Sequence, residues 1–303
     1  MKRSSITPFA IGLALVVGLA GCSSSESFEG ADEAQSASDA IVIGSQDYYS
    51  SEIIAEIYAQ ALEEAGYDIE RDFRIGQREV YVSEVEGGSI DLFPEYTGPL
   101  LSYWEPDTTV RESGEVYDEL IDAAPEGLTI LDQSTATDQN SYVVTREFSE
   151  KYGVTSIGDL ANVPEPIILG GNSEGEQRPD GPEGLKAEYG VTVDFTPIED
   201  GGGPLTVKAL RDDSIQLAII YTADPAISSS DLVALDDPEG LFLASHVVPI
   251  ASAKLDGDAR AIINSISAAL TPDGLVALNV QSLEDQSPAA TIAAQWLREN
   301  PLP

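Results

Sequence analysis

A single cysteine, Cys22, and a single histidine, His246, occur in the 303 residues of this chain. One cysteine permits no intrachain disulfide and no cysteine-based zinc site. One histidine removes most catalytic triads and histidine-rich metal centres. Basic residues are also scarce, with 15 Lys and Arg against 53 Asp and Glu and a net charge of −38. Nucleic-acid binding needs clustered Lys and Arg to displace phosphate counterions, so the balance argues against a nucleic-acid partner and equally disfavours a basic membrane-docking face. Neither a GxxxxGK(S/T) phosphate loop nor a strand-borne GxGxxG is present. Gly201-Gly202-Gly203-Pro204 reads as a flexible loop, and Asp256-Gly257-Asp258 lacks the ligand spacing of a calcium loop. Carboxylates are too abundant for any pair to be singled out as acid and base. The expectation is a protein that binds rather than catalyses, with no metal and no cofactor.

What the chain does contain begins with an address. Met1-Lys2-Arg3 is basic, and Phe9 to Ala20 is an apolar run. That run is shorter than the roughly 20 residues needed to span a bilayer, so it reads as the core of a signal peptide. It ends in Leu19-Ala20-Gly21-Cys22, which resembles the bacterial lipobox, where cleavage leaves the cysteine as a lipid-modified first residue. An ordinary secretory peptide with an incidental cysteine is the plainer alternative. Residues 1–21 are therefore expected to be a lipoprotein signal peptide. Residues 22–40, rich in Ser, Ala, Glu and Asp, are expected to form a flexible tether. The body would then lie outside the cytoplasm, anchored to the membrane through Cys22.

Hydrophobic residues make up 42% of the chain, enough for a sizeable core. Ile41-Val42-Ile43-Gly44 is a β-branched run stopped by glycine, the mark of a buried strand. Ser50-Ser51 then reads as an N-cap before apolar residues at helical spacing from Ile53 to Ala65, with Gly66 as the stop. A second helix is expected over 79–86, closed by Gly87-Gly88. Ser89 to Leu92 follows as a strand, and Phe93 to Gly98 as a loop, by its proline and glycine.

The same order returns downstream. Ile167-Ile168-Leu169-Gly170 repeats the first strand, and Val207 to Arg211 supplies a short helix. The pattern Ser-Ile-x-Leu-x-x-x-Tyr-Thr occurs at 89–97 and again at 214–222. Two α/β units that each end a strand on a tyrosine predict a two-lobed α/β protein. Lobe 1 is assigned to 41–139 plus 246–303, and lobe 2 to 140–245. Ligands of open α/β sheets sit beyond the carboxyl ends of the strands, so Tyr96 and Tyr221 should face one cleft. In the tail a helix is expected over 258–270, and Thr271-Pro272 and Ser287-Pro288 read as N-caps followed by proline. The tail helices should pack back on the first lobe. Trp104 and Trp296 read as core anchors.

The remaining chemistry is aromatic. Twelve tyrosines include Tyr96 and Tyr221 at matched strand ends and Tyr142 in Asn140-Ser141-Tyr142-Val143-Val144. Electron-rich ring faces converging in a cleft suit a quaternary ammonium ion, at about 0.5–2 kcal/mol per ring. Ordinary core packing explains tyrosine content alone equally well.

Ile43-Gly44-Ser45-Gln46-Asp47, Gln77-Arg78-Glu79-Val80-Tyr81 and Ile90 to Gly98 resemble the substrate-binding lipoproteins of glycine betaine/choline/osmoprotectant ABC transporters. Arg178-Pro179-Asp180-Gly181 and Tyr221-Thr222-Ala223-Asp224 extend the resemblance over residues 41–255. It implies a two-lobed periplasmic-binding-protein (Venus flytrap, type II) fold with the ligand between the lobes. It also implies a cage of tyrosines around the ammonium head, at Tyr96, Tyr142 and Tyr221. The fourth cage position falls on Ser245, and the neighbouring His246 could replace the ring by stacking or be structural. Gln46 stands where betaine binders often have lysine, and Asn140 where aspartate is common. Thr97 lies within the Pro-Glu-Tyr-Thr-Gly run, whose next residue, Pro99, replaces a second threonine. Arg178 matches an arginine that meets the ligand carboxylate in some members; pairing with a nearby acid is its alternative role. The implied partners are a small quaternary amine, an ABC permease and its ATPase subunits, with the protein itself a monomer. An ABC-type receptor for another small solute, such as an amino acid or polyamine, stands as the alternative. A secreted enzyme tethering a cofactor through cysteine lacks that cysteine in its body. An adhesive or scaffolding lipoprotein would leave the paired tyrosines without a purpose.

Overall fold

A computed structural model describes residues 40–302 of the chain. The expected signal peptide, nearly all of the tether and Cys22 lie outside the described residues. Strands β1 to β10 span Ile41–Gly44, Ile69–Asp72, Leu92–Tyr96, Leu128–Ile130, Asn140–Thr145, Ile168–Gly171, Asp194–Pro197, Leu217–Tyr221, Leu232–Ala234 and Val247–Ser252. Helices α1 to α10 span Tyr49–Glu64, Arg78–Glu86, Thr97–Trp104, Ser113–Ala123, Arg146–Tyr152, Pro182–Tyr189, Pro204–Arg211, Gly257–Ala269, Pro272–Leu283 and Ala289–Glu299.

The strands form two five-stranded sheets, ordered β2-β1-β3-β10-β4 and β7-β6-β8-β5-β9. The internal echo in the sequence is an echo in topology. β1 runs parallel to β2 and β3, and β6 runs parallel to β7 and β8. In each sheet the echo strand then meets an antiparallel neighbour, β10 against β3 and β5 against β8. The chain enters the second sheet after β4 and returns to the first at β10, so it crosses between lobes twice.

Strand alternation decides what each face buries. Leu92 and Tyr96 of β3 face α1 and the tail helices, in a core holding Ile53, Ile57, Ile263, Leu275, Ile292 and Trp296. Phe93 points to the opposite face, against Val85, Leu100, Val116 and Leu120 of α2, α3 and α4. Each such fully buried side chain contributes roughly 1.5–3 kcal/mol of burial free energy. In the second sheet Tyr142, Leu217 and Ile219 share one face, while Val143, Ala218 and Ile220 share the other. Trp296 is a core residue as expected, whereas Trp104 is partly buried and donates its indole N–H to Glu86.

Several local expectations are corrected. α1 starts at Tyr49 with Tyr48 in the N-cap position, and Ser51 Oγ instead accepts from the Gln46 N–H at 3.0 Å. The 93–98 segment is not a loop: β3 continues through Pro94 to Tyr96, and α3 begins at Thr97. Pro94 is tolerated because β1 pairs with β3 only at Leu92, and across β10 it faces a second proline, Pro249. α10 begins one residue later than expected, with Pro288 at the cap position, while Thr271 caps α9 as read from the sequence.

Candidate functional site

The ends of β3 and β8 open onto a cleft of about 770 Å³ between the lobes. Tyr96 closes β3 and Tyr221 closes β8, and both line this cleft. Between them stands Tyr48, immediately before α1. Its ring centroid lies 5.0 Å from that of Tyr221 and 6.3 Å from that of Tyr96, with planes tilted by 49° and 33°. Three rings from two lobes thus form one aromatic cluster. Burial above all pushes the Tyr48 and Tyr96 phenols well above their ordinary range, and Tyr221 up to about 12. All three therefore stay neutral at physiological pH.

The geometry explains two of the sequence motifs. Glu95, fully buried, accepts from Arg78 Nε at 2.7 Å and Nη2 at 2.9 Å, from the Tyr81 hydroxyl, and from the Tyr96 N–H at 2.7 Å. One buried ion cluster therefore joins the Gln77–Tyr81 run to the Pro-Glu-Tyr run and holds Tyr96 from behind. Gly98 lies so close to the 243–244 crossing that a Cβ there would stand 2.8 Å from the Leu243 carbonyl oxygen. On the other lobe Gly201 and Gly202 adopt φ of +63° and +76°. A Cβ on Gly201 would come within 3.1 Å of Tyr48 Cβ, and the Gly201 N–H is held by Asn172 Oδ1 at 2.9 Å. The glycine run is a defined turn that lets lobe 2 approach Tyr48.

The candidate residues from the sequence separate into groups. Gln46, Asn140 and Arg178 line the cleft with Tyr96 and Tyr221. Gln46 is buried, and its Nε2 has no protein partner among the described residues. Asn140 Nδ2 donates to Asp180 Oδ2 at 2.7 Å. Arg178 takes the acid-paired alternative and reaches across the cleft, donating from Nε and Nη2 to Glu79 at 3.0 and 2.9 Å and from Nη2 to Gln77 at 3.1 Å. Tyr142, Thr97, Ser245 and His246 do not line the cleft. Tyr142 is fully buried, packs edge-on against Phe242 at 5.0 Å, and donates its hydroxyl to the Asp180 carbonyl at 2.6 Å. It pairs with Ile219, two positions inside the strand end occupied by Tyr221, so its ring sits beneath the cleft wall. Thr97 Oγ1 accepts from the His246 N–H at 3.0 Å, stitching α3 to the crossing strand. Ser245 is buried beside it.

Sequence reasoning missed Tyr48, Tyr49 and Asp138. The Tyr49 hydroxyl donates to Asp224 Oδ2 on the other lobe at 2.7 Å. Asp138, 4% exposed, lines the cleft and accepts from the Ala223 N–H at 3.0 Å. Burial pushes its carboxyl up to about 7. The only available signal for the tyrosine pair was two aromatic residues just before a helix, directly after the Gly-Ser-Gln-Asp run.

Neutral rings beside a buried carboxylate make a cleft suited to a soft cation. Residues 39–299 match the family described as the substrate-binding domain of ABC-type glycine betaine transport systems. The chain is 22% identical over 278 residues to the glycine betaine-binding protein YehZ of Escherichia coli (strain K12), covering 87% of this chain and 91% of that protein. It is 25% identical over 275 residues to a glycine-betaine-binding protein of Pseudomonas aeruginosa, covering 86% and 88%. In fold it is similar to the crystal structure of a glycine betaine/carnitine/choline ABC transporter protein, with a TM-score of 0.68 at 20% identity, over 86% of this chain and 98% of that one. The chain has the two-lobed architecture of periplasmic binding proteins and belongs to the substrate-binding family of ABC-type glycine betaine transport systems.

Proposed function

We propose that this protein captures a quaternary ammonium solute of the glycine betaine, choline or carnitine class and presents it to the permease of an ABC importer. The observation that carries the reading is the cluster of Tyr48, Tyr96 and Tyr221, drawn from both lobes to centroid distances of 5.0 and 6.3 Å. Methyl groups around a diffuse positive charge match such ring faces, each worth about 0.5–2 kcal/mol. The buried donor Gln46 Nε2 suits an oxygen at the other end of the ligand. Tyr142 acts from beneath, through its bond to the loop that carries Asp180 and Arg178.

Lobe 1 comprises 41–139 with 246–303 and lobe 2 comprises 140–245 in this reading. The two crossings serve as the hinge, and closure brings Tyr221 to Tyr48 and Tyr96. The body works as a monomer outside the cytoplasm, held at the membrane by a lipid on Cys22 and served by ATPase subunits behind the permease. Cys22→Ser should release it from membranes without altering its affinity in solution.

Titration calorimetry against glycine betaine, choline, carnitine, amino acids and polyamines tests the reading. A quaternary amine should bind, and Tyr48→Ala, Tyr96→Ala and Tyr221→Ala should each weaken it by about 1–2 kcal/mol, five- to thirtyfold, with Phe tolerated better. Tyr67→Phe is the control, since that hydroxyl bonds to Asp256 on the surface. Binding of an amino acid or polyamine in place of every quaternary amine would overturn the assignment.

A further inference from the structure

The cleft is poor in free positive charge. Six carboxylates and three arginines line it. Arg78 is committed to Glu95 and Arg178 to Glu79, while Arg111 donates to the carbonyls of Thr108 and Val110. Arg111 thus has no acid partner among the described residues, whereas Arg78 and Arg178, the two arginines whose charge reaches Tyr221, are both paired to acids. Asp138 presents the opposite case. It lies on the wall shared with Tyr48, Tyr96 and Tyr221, and has no ion-pair partner among the described residues.

Building on the reading above, we propose that Asp138 is the counter-ion of the bound ligand, so that the cleft selects a quaternary ammonium of net positive charge, such as choline, over a zwitterion such as glycine betaine. A buried carboxylate without a cation is expensive, and a cationic ligand removes that expense by supplying the charge. An alcohol on the ligand can also donate to Asp138. In betaine the ammonium attracts the ionised Asp138 while the ligand carboxylate repels it, so the two largely offset. The backbone N–H of Ala223 orients the carboxylate from lobe 2, so lobe contact and charge recognition meet at one side chain.

Binding of the cation should then follow ionisation of Asp138. The groups around it are Asp224 after β8, Tyr48 and Tyr49 at the start of α1, and Tyr96 and Tyr221 at the strand ends. His246 precedes Val247, which exchanges backbone hydrogen bonds with Ser134 and Ala136. Asp224 adds a like charge, and the tyrosines stay neutral. A carboxyl pushed up to about 7 by burial is mostly protonated at pH 6 and mostly ionised at pH 8. Choline affinity should rise about tenfold across that interval, and betaine affinity by less than about twofold.

Calorimetry with choline and glycine betaine at pH 6 and pH 8 provides the test, on the parent protein and on Asp138→Asn, which keeps an acceptor for the Ala223 N–H. The variant should bind choline at least about tenfold more weakly at pH 8, hold betaine within about threefold, and lose the pH dependence. Equal losses for both ligands, no loss for either, or a pH rise retained in the variant would each refute the counter-ion role, the last by pointing to another group such as Asp224, whose carboxyl burial also raises. If the variant does not fold, the parent decides: choline affinity that is flat from pH 6 to pH 8 refutes it. A parent that binds neither ligand defeats the functional reading itself, whereas binding of both with an unchanged ratio in the variant defeats only the role of Asp138.

Discussion

The two lobes carry the same sheet order but hold their strand-end tyrosines by different means. Behind Tyr96, lobe 1 places a buried ion cluster in which Glu95 receives Arg78, Tyr81 and the Tyr96 backbone N–H. Behind Tyr221, lobe 2 places the Gly201-Gly202 turn, tied by the Gly201 N–H to Asn172. Asp200 flanks the turn and accepts from the Gly203 N–H and from Leu205 and Thr206 at the start of α7, with no buried ion pair there among the described residues. An ion cluster fixes a geometry at a high cost of desolvation, so its parts depend on one another. A glycine turn permits close approach and stores little. Topology alone therefore does not determine how rigid a binding wall is. The contrast predicts that lobe 1 is the stiffer wall and lobe 2 the one that adapts.

The sharpest break in that contrast is Glu95→Gln. The change leaves Arg78, whose side chain is 6% exposed, buried without its counter-charge. Removing one partner of a buried pair costs about 3–5 kcal/mol, so the urea midpoint should fall steeply. A midpoint within experimental error of the parent would mean that the cluster is not what holds lobe 1.

Gly202→Ala is the matching test on lobe 2. At φ +76° an alanine is strained, and its Cβ would stand 2.7 Å from the Ile219 carbonyl oxygen, one residue pair from Tyr221. Strain of this kind costs about 1–3 kcal/mol, less than the loss expected at Glu95. Because the turn can shift outward, part of the effect should appear as weaker ligand binding rather than as lost stability. If Gly202→Ala destabilises as much as Glu95→Gln while leaving affinity intact, lobe 2 is the rigid wall and the contrast is reversed.

Much of the fold was legible because strand periodicity and glycine stops are local signals. Ile41–Gly44, the Val207 to Arg211 part of α7 and the capped start of α9 at Thr271 follow from residues a few positions apart, although α7 begins at Pro204, inside the run read as a loop. The matched tyrosines were legible because the echo repeats a whole strand register. Pro94 misled because a proline argues against a strand unless the adjacent ladder has already ended, and that depends on where β1 stops. The site was less accessible for the same reason. Tyr48 gains its role from a turn about 150 residues downstream, and Asp138 from the Ala223 N–H on another strand end. Tyr142 was expected in the cage from the resemblance alone, yet it pairs with Ile219, two positions in from Tyr221, and does not line the cleft.

The smallest effect belongs to the bridge between the lobes. Arg178 and Glu79 side chains are 18% and 37% exposed, so solvent screens the pair and its net contribution is about 0–1 kcal/mol. Burial works to raise the Glu79 carboxyl, but the Arg178 guanidinium beside it holds the group below its ordinary range. A lowered carboxyl keeps the bridge ionised at neutral pH and loses it only as pH falls through that lowered value. Arg178→Ala should therefore weaken choline and glycine betaine equally, by about fivefold or less, and by the same factor at pH 6 and pH 8. That pattern separates a latch that favours closure from the ligand-facing charge at Asp138. A loss confined to glycine betaine would instead mean that Arg178 leaves Glu79 to meet the ligand carboxylate. In that case the adaptable wall of lobe 2 contributes recognition as well as closure.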